Sequence, residues 1–142
     1  MPWFERFRRP RRPNGEEPMV EQSAHVLTLA RQFLEYLRDN EPDFERAFYR
    51  FEAEPGRFGG NASVVSPSGI RLIGSIKNAE MLRDLGRTGR QLIMSLGQDT
   101  GVFVLTVRAN CDFNIQYEWD DLTRWKITKL EGGTGLPEGL EQ

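Results

Sequence analysis

Thiol and imidazole are nearly missing from this chain: of 142 residues, Cys111 is the only cysteine and His25 the only histidine. One cysteine excludes an internal disulfide and leaves no thiolate cluster to hold a metal. A zinc or iron site would have to rest on carboxylates, against those metals' preference for nitrogen and sulfur ligands, so no metal is expected. His25, without partners, reads as a partly buried or solvated side chain. No run approaches the roughly 18 apolar residues of a membrane span, so no membrane association is expected. The start, MPWFERFRRPRRPNGEEP, breaks on arginine and proline before a leader's apolar stretch could begin, which makes a cytoplasmic location the expectation. Phosphate-cradling motifs are missing too. Gly56, Gly59, Gly60 and Gly69 fit neither the dinucleotide nor the P-loop spacing and read as turns, so no cofactor is expected.

What is present is an ordinary soluble mixture, 38% hydrophobic and 28% charged, of a length suited to one domain. The formal net charge of −2 is unevenly spread. Residues 1–18 hold five arginines against Glu5, Glu16 and Glu17, leaving 14 basic and 18 acidic residues in the body. An acidic body argues against direct nucleic-acid binding, which needs clustered lysine or arginine. The expected organisation is a disordered basic arm over residues 1–18, one domain over 19–130 and a mobile tail over 131–142. Trp3, Phe4 and Phe7 among the arginines leave open a second reading of the arm, contact with an anionic membrane or nucleic acid.

The chain from Gly101 to Leu130 is the stretch the rest is built to cover. GVFVLTVRA is almost continuously apolar and DFNIQYEW alternates strictly, which predicts a hairpin turning near Asn110. Its second strand sends Phe113, Ile115, Tyr117 and Trp119 to one face and Asp112, Asn114, Gln116 and Glu118 to the other. Before it, Val26, Leu27, Ala30, Phe33, Leu34 and Leu37 fall at helical spacing, predicting a helix from Met19 that ends at Asn40-Glu41-Pro42. Residues 44–53 read as a strand with aromatics on both sides. Glu54-Pro55-Gly56 is a turn that Phe58-Gly59-Gly60 extends as loop. Short strands follow over 61–65 and 70–76, around Ser66-Pro67-Ser68-Gly69.

A second helix spans 78–96, with Leu82, Leu85, Leu92, Ile93 and Leu96 on one side and Gly86 and Gly89 on the same stripe. Two helical glycines, each costing roughly 1 kcal/mol against alanine, need a reason. Close packing on another backbone is one, and a kink at Gly86 is the other. Arg83, Arg87 and Arg90 form a basic outer row. Residues 124–130 alternate again, predicting a short last strand or an extended segment along the sheet.

The predicted fold is α+β: an antiparallel sheet of five to six strands with two helices on one face, in the order α-β-β-β-α-β-β. The charged face of the sheet stays in water or meets a partner, and Trp119 and Trp125 are the aromatics expected to be partly exposed. Only paired carboxylates offer acid–base chemistry, namely Glu118 with Asp120 and Asp121, or Glu52 with Glu54. Such work needs two carboxyls with divergent pKa values. With no nucleophile, base or cofactor motif beside them, a binding role is the stronger class and no catalytic residue is assigned.

The segment FLEYLRDNEPDFERAFYRFE, the strand pair around SPSG, the long second helix and the closing DFNIQYEWDDL resemble the YezG-like immunity proteins of bacterial polymorphic toxin systems. Phe113, Ile115, Tyr117, Trp119 and Asp121 occupy the places of that family's closing strand, and the resemblance covers residues 20–122. It implies a non-enzymatic protein that binds a toxic, often nuclease, domain and blocks it. An acidic inhibitor of a basic toxin gains association rate from complementary charge. The expected contact residues are Glu41, Asp43, Glu52, Glu54, Glu118, Trp119, Asp120 and Asp121, an aromatic anchor in a charged rim. The alternative is a small acidic secretion-chaperone-like or regulatory scaffold acting as a homodimer.

Overall fold

The structure, a computed structural model, describes residues 16–140, with side chains from residue 24 onward. The basic arm therefore lies outside the described residues up to residue 15. Its last three residues already belong to helix α1, Glu16–Asn40. The strands are β1 (Arg46–Glu54), β2 (Arg57–Ser66) and β3 (Gly69–Leu72), followed by helix α2 (Ala79–Ser95) and then β4 (Gly101–Arg108) and β5 (Phe113–Glu118). They form one antiparallel sheet in the order β3-β2-β1-β4-β5, so the expected α+β architecture and element order are those found.

The helices cover the face that carries Ala47, Tyr49, Phe51, Ala53, Phe103, Leu105, Val107 and Ile115. Register decides what meets there. Phe51 pairs with Phe103, and Phe103 with Tyr117, so three rings form a row across β1, β4 and β5. Phe51 and Phe103 stack at 5.1 Å between centroids. α1 adds Val26, Leu29, Phe33 and Leu37 to this core. Leu27, expected on that stripe, is 55% exposed. It lies one position off the line through Val26, Ala30, Phe33 and Leu37, and Leu29 fills the place instead. Hydrogen bonds tie the helices together, from the Tyr36 hydroxyl to Asn78 Oδ1 at 3.0 Å and from Thr88 Oγ1 to Gln32 Oε1 at 3.1 Å.

Between β1 and β2 the turn is only Pro55-Gly56, and Phe58, Gly59 and Gly60 are strand, not loop. Residues of poor strand propensity pair here because β1 supplies a full-length partner and the turn fixes the register. β3 is shorter than the alternation suggests. It stops at Leu72, and Ile76 is 95% exposed in the connection to α2.

α2 runs unbroken through its glycines. What they accommodate is a pair of rings, not a backbone: a Cβ at Gly89 would lie 2.9 Å from Phe51 Cδ1, and one at Gly86 3.3 Å from Phe58 Cε2.

The largest departure from expectation is the opposite face of the sheet, which is closed. Residues 120–140 leave β5 and cross behind the strands as a strap with no strand pairing. Trp125 is 2% exposed, and with Ile127 it packs on Phe48, Val102 and Val104, with Leu122, Leu136 and Leu140 around them. The strap brackets itself through Gly135 N–H to Thr128 C=O and Glu138 N–H to Lys126 C=O, both at 3.0 Å. Thus the segment expected to be mobile is anchored as far as Leu140, and Trp125 is core. A strand with apolar side chains on both faces, as in GVFVLTVR, leaves a second surface to be covered.

Gly89→Ala gains helix propensity but drives a methyl into the fully buried Phe51. A net loss of about 1–3 kcal/mol is expected in urea unfolding. Gly86→Ala meets only the half-exposed Phe58, which can turn aside, and is expected to be neutral or stabilising by up to about 1 kcal/mol. Equal effects at the two sites would show that ring contact does not select these glycines.

Candidate functional site

The expected contact residues divide between the two ends of the sheet. Glu41 and Asp43 precede β1, whereas Glu52 and Glu54 close it, and β1 alone is on the order of 30 Å long. They do not form one patch. Glu41 is ion-paired with Arg71, and Asp43 is exposed in the turn after α1.

At the far end, Glu52, Val102 and Glu118 lie opposite one another on β1, β4 and β5. Glu52 and Glu118 are therefore about two strand spacings, roughly 9.5 Å, apart on the strap side. Glu52, Glu54 and Glu118 each have an arginine. Arg50 Nη1 meets Glu52 Oε1 at 2.6 Å, Arg57 Nη2 meets Glu54 Oε2 at 2.7 Å, and Arg124 Nη1 meets Glu118 Oε1 at 2.6 Å.

Arg50 is the buried member of this set, with a side chain 7% exposed. Its Nε donates to the Arg124 carbonyl at 2.9 Å and its Nη2 to the Leu122 carbonyl at 2.6 Å. A guanidinium out of water must have its donors satisfied, and here the strap's own backbone satisfies them. Asn61 Nδ2 does the same for the Ile127 carbonyl at 2.9 Å. Trp125, between the two clamps, has φ +62, a conformation that costs an ordinary residue on the order of 1–3 kcal/mol. Losing a buried indole costs about 3–5 kcal/mol, so burial prevails.

Glu118 is held three ways. The Arg124 hydrogen bond first, then the N–H groups of Asp121 and Asp120 at 3.1 and 3.0 Å, keep its carboxyl below the usual carboxylate range. Asp121 is lowered too, by the Thr123 hydroxyl and then the Thr123 N–H, at 2.6 and 2.9 Å. Acid–base chemistry needs two carboxyls pushed apart, and these move in the same direction.

Trp119 stacks on Tyr117 at 5.4 Å and lies over Gly101, where a Cβ would be 2.6 Å from Trp119 Cε3. It remains half-buried, with Asp120 and Asp121 exposed beside it. The corner presents a half-buried indole beside exposed carboxylates on a hydrogen-bonded turn. Among the described residues no three of His, Cys, Asp and Glu gather as a metal site requires, and no helix is long and apolar enough to cross a membrane.

Between the β1–β2 hairpin and the strap is a cleft of about 450 Å³, lined by Arg50, Glu52, Arg57, Asn61 and Lys126 among others. Sequence reasoning singled out Glu52 but not Arg50, Asn61 or Lys126. Arginine alternating with phenylalanine in AFYRFE was the available signal, because a charge within an otherwise apolar strand needs a buried partner.

Arg50→Met should free the strap by leaving two carbonyls unsatisfied, at a loss of about 2–4 kcal/mol. Limited trypsin digestion checks it, since cleavage after Arg124 and Lys126 should accelerate, and an unchanged rate would show that the clamp is not needed. The depressed Glu118 pKa also sets a sign. Its contribution is present above the unfolded value of about 4.3 and is lost as pH falls through the lower folded value. Urea titrations should show less acid sensitivity in Glu118→Gln below about pH 5. In comparisons with known proteins, the chain matches no protein-family model and no curated protein sequence.

Proposed function

We propose that the chain is a non-enzymatic, immunity-type protein that binds and neutralises a basic toxin domain, of the nuclease kind its family resemblance implies. The observation that carries this reading is the corner of β5. There half-buried Trp119, backed by Tyr117, sits beside the exposed Asp120 and Asp121, on a turn fixed by Glu118. A half-buried aromatic among exposed carboxylates is the composition of a hot spot for a cationic surface. Carboxylates with pKa values lowered together favour charge recognition over proton transfer. Three of the five residues behind the resemblance do a different job: Phe113, Ile115 and Tyr117 pack in or against the helix-side core. They support the likeness of fold, and the corner supports the binding role. The contact set is accordingly narrowed to Trp119, Asp120 and Asp121, with Glu118 as their brace.

Capture from the cells that make the protein provides the test. A partner with a basic C-terminal domain should be retained at low salt and released at high salt. That domain should arrest growth when expressed alone and be harmless when co-expressed with this chain. Trp119→Ala should weaken binding by about thirtyfold or more, as hot-spot truncations do, and Asp120→Lys should abolish the protection. An acidic partner, or capture indifferent to salt and to both substitutions, would sink the reading.

A further inference from the structure

We propose that the free side of β2, from Arg57 to Asn61, docks an extended acidic segment of another protein, which adds to the sheet as a further strand. β2 has ten residues, but β3 pairs only with Ser63–Ser66. One more bond follows, Ile73 N–H to Ala62 C=O at 2.9 Å, and the chain then turns away at Gly74, whose carbonyl accepts from Asn78. In an antiparallel ladder a residue turns its N–H and C=O to the same side, and every second residue turns them alike. Ala62 faces β3, so Gly60 and Phe58 face the same way beyond the end of β3. Among the described residues none bonds to those groups.

Edges of this kind are usually guarded by charge, proline or a bulge. Here the middle of the edge is Gly59-Gly60. The reason for Gly60 lies on the other side: a Cβ there would collide with the Arg50 carbonyl oxygen and lie 2.8 Å from Tyr49 Oη. Packing has thus removed the side chain that would shield the edge.

The flanks select the occupant. A residue of the added strand opposite Gly59 points to the strap side, into the cleft beside Lys126. Residues opposite Phe58 and Gly60 point to the helix side. There Phe58 is 40% exposed, with the Arg90 guanidinium 5.3 Å from its ring centroid. Arg50 and Arg57 are neutralised by Glu52 and Glu54, but Lys126 and Arg90 form no ion pair with a described carboxylate. One uncompensated cation on each flank fits carboxylate side chains on the incoming strand. It also disfavours a second copy of this chain, whose own Lys126 and Arg90 would be brought to the same edge.

Titration of the labelled full chain with acetyl-Val-Val-Glu-Glu-Val-amide, whose adjacent carboxylates fall on opposite faces of an added strand, followed by amide NMR, tests the proposal. The Phe58 and Gly60 amides should shift and become protected from exchange. Lys126→Glu should weaken binding about tenfold, since it replaces an attraction by a repulsion worth together about 1.4 kcal/mol. Gly59→Glu, whose Cβ would have nothing within 4 Å, is the second variant and should weaken binding similarly without disturbing the fold. Equal binding of the lysine counterpart peptide, or shifts confined to other residues, would overturn the proposal. So would the same shifts appearing with protein concentration alone, because they would place a second copy on the edge. The site is separate from the Trp119 corner, so either proposal can fail without the other.

Discussion

The two central strands, β1 and β4, carry apolar side chains on both faces, and that constraint organises the molecule. Tyr49, Phe51, Phe103 and Leu105 face the helices, while Phe48, Val102 and Val104 face the other way, and all are buried. Burial of apolar surface contributes roughly 25 cal/mol per Å², so leaving either face wet would forgo several kcal/mol. Two helices cover one face and an irregular strap covers the other. The strap lacks regular pairing of its own, so part of its backbone must be satisfied by side chains from the sheet, chiefly Arg50 and Asn61.

This arrangement redistributes the acidic residues. An excess of carboxylates in the body suggests a negative surface, yet Glu41, Glu52, Glu54 and Glu118 each hold an arginine. What they do for Arg50, Arg57 and Arg124 is mainly local: they compensate a buried cation, close a turn and brace a corner. Exposed pairs of this kind are worth about 0–1 kcal/mol each, so Arg50–Glu52, backed by two carbonyl bonds, is the one that matters for stability. Capacity for recognition moves to the rim. The Trp119 corner and the free side of β2 lie at the same end of the sheet on opposite edges, one carrying exposed carboxylates and the other uncompensated cations.

Much of the fold could be read from spacing. Period-two alternation in DFNIQYEW places Tyr117 and Trp119 on the helix side, and alternation over 44–53 divides Ala47, Tyr49, Phe51 and Ala53 from Phe48, Arg50 and Glu52 as observed. It also puts Phe44 with Phe48, whereas Phe44 precedes β1 and packs in the helix-side core. The glycines of α2 were legible as a packing signal but not their contacts, because Phe51 and Phe58 come from strands whose register no local pattern fixes. Phe58-Gly59-Gly60 reads as loop because local propensity favours it, and tertiary pairing overrides that preference. Among the candidate contact residues, the Glu118–Asp121 run was legible because its members are neighbours in sequence. The separation of Glu41 and Asp43 from Glu54 follows equally from a strand over 44–53, which holds its flanks on the order of 30 Å apart, but which flank lies at the Glu118 end depends on strand register.

The sequence by itself determined the order of the elements and how side chains divide between the two faces of a strand, because those follow from periodicities of two and 3.6 residues that need no partner. Tertiary structure alone decided that residues 131–140 belong to a lid and not to a mobile tail. Trp125 and Ile127 alternate as the residues of a strand would, but Leu122, Leu136 and Leu140 follow no period, and the five become a core only where Phe48, Val102 and Val104 offer a surface. It also decided that Arg50 is a clamp and not a surface charge, for the carbonyls it satisfies are 72 and 74 residues away along the chain.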